Sequence, residues 1–342
     1  MLKRFVHRSA LRLEAVLDRI FHRTAEGREI DPYIGYATDD QIILRGRVLT
    51  TLRHGMPKES QSKWTNFRQI LSMFFTDEVR DATVQCGDVV AKTDEEGYFI
   101  LPLPRDARSG WSTEYVHVHG RADPVECPVF VPGNDAKFMV ISDIDDTMLE
   151  TGAYSLLRNL YTSFTGNSQT RLIYPDSKQL MKTLSDGGRN PVFYVSSSPW
   201  NLHDFLADIF VNAGLVRGPM FLRDLGLSKT KFITEGHGNH KGGSIDHILR
   251  ANPDLPAILL GDTGQHDAQI YHDIIQQHGE RIIAVGLRTP GPGLDAADRH
   301  DLSALKATGV PTYAEPDFNG FIDAVGDPIS TLESSHKMRR GA

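Results

Sequence analysis

Cysteine is almost absent. Cys86 and Cys127 stand alone in 342 residues, in neither a CxxC pair nor a zinc-ligand spacing. That argues against a disulfide scaffold or a cysteine-based zinc module and fits free thiols in a reducing, cytoplasmic compartment. Long apolar runs are lacking too. The first residues, MLKRFVHRSALRLEAVLDRIFHR, break every apolar stretch with Arg or His, so neither a signal peptide nor a spanning helix is expected there. Nor does one sign of charge dominate. The 44 acidic and 37 basic residues leave a net −7, and no domain-wide stripe of Lys and Arg appears, which argues against nucleic acid as a partner.

What the chain does have is size and two sequence rhythms. With 40% hydrophobic residues it can bury a sizeable core, and its length exceeds that at which chains usually divide into domains. Residues 1–26 predict a basic amphipathic helix. Phe5, Val6, Leu13, Val16, Leu17, Ile20 and Phe21 fall close to one face, and Lys3, Arg4, Arg8, Arg12, Arg19 and Arg23 dominate the rest. Such a helix docks on the protein's own core, lies on an anionic membrane surface as a peripheral contact, or meets a partner or second copy.

Residues 27–134 read as a small β-sandwich, because QIILRGRVLT, ATVQCGDVVAKT, EYVHVHG and PVECPVFVP are β-branched or alternate in polarity. The segment TDEEGYFILPL resembles the T-D-x-x-G-x-F hairpin of transthyretin-like and carboxypeptidase-regulatory-like sandwiches. A helical insertion is expected where Trp64, Phe67, Leu71 and Phe74 recur.

From Lys137 the rhythm becomes strand, loop, helix. The runs KFMVIS, PVFYVS, GPMFLR, AILLG, RIIAVGL and VPTYA, most followed by helical stretches, predict an α/β domain over 135–326 with a Rossmann-like parallel sheet. Residues 327–342 read as a flexible tail. Ligands of such sheets sit beyond the carboxyl ends of the strands. Here those ends carry Asp143, Ser196, Arg223 and Asp262.

Four motifs gather at these ends. DIDDT crowds Asp143, Asp145 and Asp146 into four positions, a repulsion that calls for a cation. An EF-hand is excluded, since its sixth and twelfth positions would be Met148 and Tyr154 instead of Gly and Glu. YVSSSPW ends a strand at Ser196 and offers Ser198-Pro199 as a helix cap followed by proline, a setting that favours phosphate. GHGNHKGGS delivers Lys241 just before SIDHILR. LLGDTGQHD places Asp262 at a strand end and Asp267 at the start of the next helix.

In this order the motifs DxDxT, Ser, Lys and GDxxxxD resemble the haloacid-dehalogenase superfamily of aspartate-nucleophile phosphatases. DIDDT, YVSSSPWNL, GPMFLRD, NHK and GDTGQHDAQIY together resemble the actin-patch phosphatidate phosphatase family and its bacterial relatives, over roughly Asp135 to Val325. Thr263 and Ala268 depart from the family's usual Ser and Pro without removing a reacting group.

The resemblance implies a Mg²⁺-dependent phosphomonoesterase with Asp143 as nucleophile. Asp145 would be acid and then base, with its backbone carbonyl on the metal. Asp262 and Asp267 would complete the ligand set with Asp143 and Asp145. Ser196 would bind a phosphoryl oxygen, and Lys241 would offset its charge. Ser197, Ser198, Arg223 and Thr147 are further candidates for substrate contact, while Asp146 and Thr147 also suit shaping the turn.

Only 44 residues separate Thr147 from Val192, so the cap can only be minimal, with AYSLLRNLYTSFTG placed to line the mouth. An uncovered site fits a membrane phospholipid, phosphatidate above all. The alternatives are a phosphatase for phosphoproteins or soluble phosphoesters, with the β-domain as docking module, and a non-catalytic scaffold.

Overall fold

The computed structural model describes residues 27–50, 78–150, 173–223, 240–289 and 293–324. The amphipathic helix of residues 1–26, the insertion around Trp64, the AYSLLRNLYTSFTG segment, the loop 236–239 ahead of His240 and the tail after 326 lie outside the described residues.

Strands β1 (Glu29–Ala37), β2 (Gln41–Leu49), β3 (Thr83–Cys86), β4 (Val89–Lys92), β5 (Tyr98–Pro104), β6 (Gly110–Val118) and β7 (Val125–Val131) join in one sheet of order β4-β3-β6-β7-β1-β2-β5. Its pairs are antiparallel except β1 with β7. Val84 of β3 and Leu101 of β5, from opposite ends of that order, share a single buried cluster with Ile30, Leu44, Val116 and Val129, so the sheet curls around its core.

The TDEEG turn forms as its residues dictate: Asp94 Oδ1 accepts the amides of Glu96 and Tyr98, and Gly97 takes a φ of +80°. It does not close a hairpin, however. β4 pairs with β3 and β5 with β2, so the turn arches between the two ends of the sheet. β1 is a strand that the periodicity does not announce, since Pro32 and Gly35 interrupt it; Pro32 lies opposite Gly46, with a register shift between Tyr33 and Tyr36.

The second sheet is wholly parallel. It comprises β8 (Met139–Asp143), β9 (Val192–Pro199), β10 (Met220–Arg223), β11 (Ala257–Asp262), β12 (Ile282–Arg288) and β13 (Thr312–Glu315), in order β10-β9-β8-β11-β12-β13. Helices cover both faces. α1 (Pro175–Ser185) and α2 (His203–Ala213) bury Met181 and Phe210 against Val140, Tyr194 and Leu260. α3 (His240–Ala251), α4 (Asp267–His278) and α5 (Ala296–Ala307) bury Ile248, Ile274 and Leu305 against Met139, Phe193 and Leu259. Strands buried on both faces explain the continuous apolar runs. The order reverses direction between β8 and β11, which opens a crevice at their carboxyl ends.

Two local readings change. The Ser198-Pro199 pair caps no helix: Pro199 is extended, at φ −70° and ψ 150°, one 3₁₀ turn follows over Trp200–Leu202, and α2 starts only at His203. α5, which the strand-loop-helix pattern leaves unnamed, begins with a reciprocal capping box between Asp295 and Asp298.

The two sheets meet along the free edge of β10. Buried Arg45 of β2 donates from Nη2 to the carbonyls of Ile34 (3.3 Å) and Met220 (3.1 Å), among the rings of Tyr36, Trp200 and Phe221. Among the described residues no carboxylate pairs with it, and its Nε finds no partner. Its worth is therefore chiefly volume. Arg45→Ala is expected to cost about 2–4 kcal/mol in urea unfolding through the cavity left behind. Arg45→Met should stay within about 1.5 kcal/mol of wild type. Equal losses in the two variants would show that the guanidinium itself holds the interface.

Candidate active site

Asp143 and Asp262 are the last residues of the neighbouring strands β8 and β11, so sheet geometry alone brings their side chains to one crevice. Asp267 opens α4 and Lys241 lies in the first turn of α3. Lys241 Nζ stands 2.8 Å from Asp143 Oδ1 and 2.7 Å from Asp267 Oδ1, with all three side chains buried. Asp267 Oδ2 accepts the amide of Asp262 (3.2 Å), and Asp262 Oδ1 accepts that of Gly264 (2.6 Å). Gly261 makes this closeness possible. A Cβ there would meet Asp267 Oδ2 at 2.5 Å and the Tyr271 hydroxyl at 2.6 Å.

Burial governs the electrostatics. It raises the Asp143 carboxyl well above the usual carboxylate range, against the pull of Lys241 and with added repulsion from Asp267 and Asp262. Asp262 is pushed up to about 8, first by burial and then by Asp267. Burial also disfavours the Lys241 ammonium, but Asp143 and Asp267 outweigh it and raise the group, so it stays charged.

Three carboxylates thus face one cation. Oxygens of Asp143, Asp262 and Asp267 lie within 4.8 Å of one another, and Asp262 Oδ2 is buried without a donor. An all-oxygen set with an orphaned carboxylate atom fits a hard divalent ion. A second group, Asp31, His203 and Asp204, meets the same spacing. There burial and Asp204 raise the Asp31 carboxyl, against the weaker pull of Arg47.

Asp145 points away from the acidic cluster. Its Oδ2 accepts from the hydroxyls of Ser196 (2.7 Å) and Ser198 (2.9 Å), and its Oδ1 is buried without a partner. Burial raises its pKa, and the two serine hydrogen bonds act against that. Its backbone carbonyl accepts from Gln265 Nε2 at 3.3 Å. Asp146 takes a positive φ of 56°, the turn-shaping conformation expected of it.

The remaining sequence candidates divide between interior and rim. Ser196 Oγ also accepts the Ser198 amide, so both serines serve Asp145. Thr147 is fully buried, and its hydroxyl donates to Asp143 Oδ2 at 3.2 Å. Ser197 is exposed beside the pair, and Arg223, half-buried, ends β10 in register with Pro199. Sequence reasoning did not single out Gln265, Gly261, Ser177 or Arg288. Gln265 and Gly261 at least lie inside GDTGQHD, the motif already marked; Ser177 and Arg288 carry no local signal.

The comparisons bear out the resemblance to the phosphatidate phosphatase family read from the motifs. Residues 138–289 match the family model of the phosphatidate phosphatase APP1 catalytic domain, a span that contains Asp143, Asp145, Ser196, Lys241, Asp262 and Asp267. The chain is 26% identical over 226 residues to phosphatidate phosphatase APP1 of Saccharomyces cerevisiae, covering 65% of this chain and 36% of that protein. It is 28% identical over 211 residues to the uncharacterised protein C29B5.04c of Schizosaccharomyces pombe, covering 57% and 34%. The chain thus spans about a third of the length of these relatives. A carbohydrate acetylesterase from Xanthomonas citri aligns over 84% of this chain and 68% of its own at 11% identity; its TM-score of 0.30 bears on neither fold nor function.

Proposed function

We propose that the chain is a Mg²⁺-dependent phosphomonoesterase of the haloacid-dehalogenase type that acts through an aspartyl-phosphate, on phosphatidate or a related phospholipid. One observation carries the chemistry. Asp143 is held by a buried ammonium at a strand end, while Asp145, two residues on, keeps one carboxyl oxygen uncommitted in a setting that raises its pKa.

Asp143 would attack phosphorus, forming a carboxylate–phosphorus bond as the bond to the leaving oxygen breaks. Asp145 would give its proton to that oxygen from Oδ1 and later take one from the water that hydrolyses the aspartyl-phosphate. Ser196 and Ser198 fix the other oxygen of Asp145 and so aim this one. Lys241 offsets charge gathering on the phosphoryl group. Ser197 and Arg223 remain for the rim, within reach of a phosphate or headgroup.

Asp143, Asp262 and the Asp145 carbonyl would hold Mg²⁺. Asp267 would complete the ligand set while its Oδ1 also anchors Lys241. The ion, when bound, would neutralise phosphoryl charge and keep Asp143 ionised.

The lipid substrate rests on the match to a phosphatidate phosphatase. Among the described residues no helix is long and apolar enough to cross a membrane. Residues 1–26 are the proposed peripheral contact with the bilayer. Phosphate release from phosphatidate in mixed micelles and from p-nitrophenyl phosphate, each with Mg²⁺ and with EDTA, tests the reading. Release from both, lost in EDTA, is expected. Hydrolysis of phosphopeptides or sugar phosphates with phosphatidate untouched would overturn the lipid assignment.

The same carboxylates predict a pH-dependent metal effect on stability. Asp262 keeps its proton up to about 8 in the fold and loses it near its ordinary 3.8 in the unfolded chain. Between these values the native state binds more protons, so the metal-free protein loses stability as pH rises. Mg²⁺ bound there would take the proton's place, and the rise in melting temperature on adding it should be larger at pH 8 than at pH 5. A rise independent of pH would contradict binding at this cluster.

A further inference from the structure

We infer that Ser177 and Arg288 are positioning residues of the reaction, acting on Asp143 through Thr147; the inference rests on the aspartyl-phosphate reading above. Lys241 fixes one oxygen of Asp143, and the other, Oδ2, accepts from the Thr147 hydroxyl. The aim of the nucleophile therefore depends on where Thr147 is held.

The Thr147 carbonyl accepts from Ser177 Oγ at 2.7 Å, and Ser177 Oγ lies 2.7 Å from Arg288 Nη2. The direction of this chain is fixed by chemistry. A guanidinium only donates, so Ser177 accepts from Arg288, and its single proton is left for the Thr147 carbonyl. Ser177 and Thr147 are fully buried and Arg288 nearly so, where hydrogen bonds of this kind are strong and costly to break.

Arg288 is itself immobilised. It donates to Asp176 Oδ2 (2.6 Å) and to the Pro316 carbonyl (2.7 Å), and its guanidinium sits over the rings of Tyr174 and Phe318. Asp176 is held in turn by the Phe318 amide.

Arg288 also ends β12, and its own carbonyl accepts the amide of Thr263, the neighbour of Asp262. One residue thus ties down both acidic turns: its main chain holds the turn after Asp262, and its side chain holds the turn that aims Asp143. Neither Arg288 nor Ser177 contacts Asp143 directly, which distinguishes positioning from catalysis here.

The test is kinetic, with the full chain, Mg²⁺ and p-nitrophenyl phosphate. Ser177→Ala is expected to lower kcat about tenfold with KM unchanged, because misplacement of a reacting atom is felt in the chemical step. Thr147→Val, which keeps the volume and removes the hydroxyl, should act similarly. The double variant should lose no more than the worse single variant, since both cut one chain.

Arg288→Lys keeps the charge but not the fork that spans Asp176, Ser177 and Pro316, so it should reproduce the loss in kcat. Multiplying losses, or an unchanged kcat in Ser177→Ala, would overturn the inference while leaving the phosphatase reading intact. An inactive wild type would instead overturn that reading. Thermal unfolding of each variant separates loss of aim from loss of fold.

Discussion

Asp143→Asn is expected to lower kcat by at least about 10⁴ while the protein stays folded, since removal of a nucleophile leaves only binding and electrostatic contributions. The substitution is close to isosteric. The asparagine oxygen can still face Lys241, and its amide can turn to the Thr147 hydroxyl, which accepts as readily as it donates. Burial is the main cause that raises the Asp143 carboxyl, so an uncharged group there removes a desolvation cost. The variant should therefore melt no lower than wild type in EDTA, and it should gain less from added Mg²⁺. Turnover within about tenfold of wild type would contradict a nucleophilic Asp143.

Asp145→Asn should cost about 10²–10⁴, the usual range for a general acid–base group, and the loss should depend on the leaving group. The alcohol released from phosphatidate needs a proton as it departs; p-nitrophenolate does not. Both share the second step, in which Asp145 would take a proton from water. On p-nitrophenyl phosphate the variant should accordingly release about one nitrophenolate per site in a burst and then stall with the phosphoryl group on Asp143. On phosphatidate even the burst should be slow. The Ser196 and Ser198 hydroxyls can donate to an asparagine oxygen as they do to Asp145 Oδ2, so misfolding is not the expected outcome. Equal losses on both substrates without a burst would remove Asp145 from the proton role.

The candidate site residues are legible because each stands where a fixed pattern breaks. Asp143 and Asp262 terminate apolar runs buried on both faces, and a parallel sheet presents such ends to one crevice regardless of the intervening chain. Lys241 and Asp267 are placed by motif, although only the fold brings them into contact with each other.

What stayed hidden is long-range or depends on competition between local rules. Ser177 stands thirty residues from Thr147, and Arg288 more than a hundred from Ser177, so no window of sequence contains their contact. The proline rule misplaced the start of α2: Pro199 suits the first turn of a helix and an extended strand end equally well, and the bonds of Ser196 and Ser198 to Asp145 favour the strand. In β1, Pro32 and Gly35 mask a strand that pairing with β2 enforces. The TDEEG turn was right in its residues and wrong as a hairpin, because turn chemistry fixes a bend and not the partners of the strands that leave it.

The most direct test of the account is acid-quenched turnover with phosphatidate carrying a labelled phosphoryl group, followed by mapping of label retained on the protein. Label on the peptide containing Asp143 is predicted, increased in Asp145→Asn and absent in Asp143→Asn. Phosphate release with no label on the protein, or with label on another residue, would contradict a covalent mechanism at Asp143.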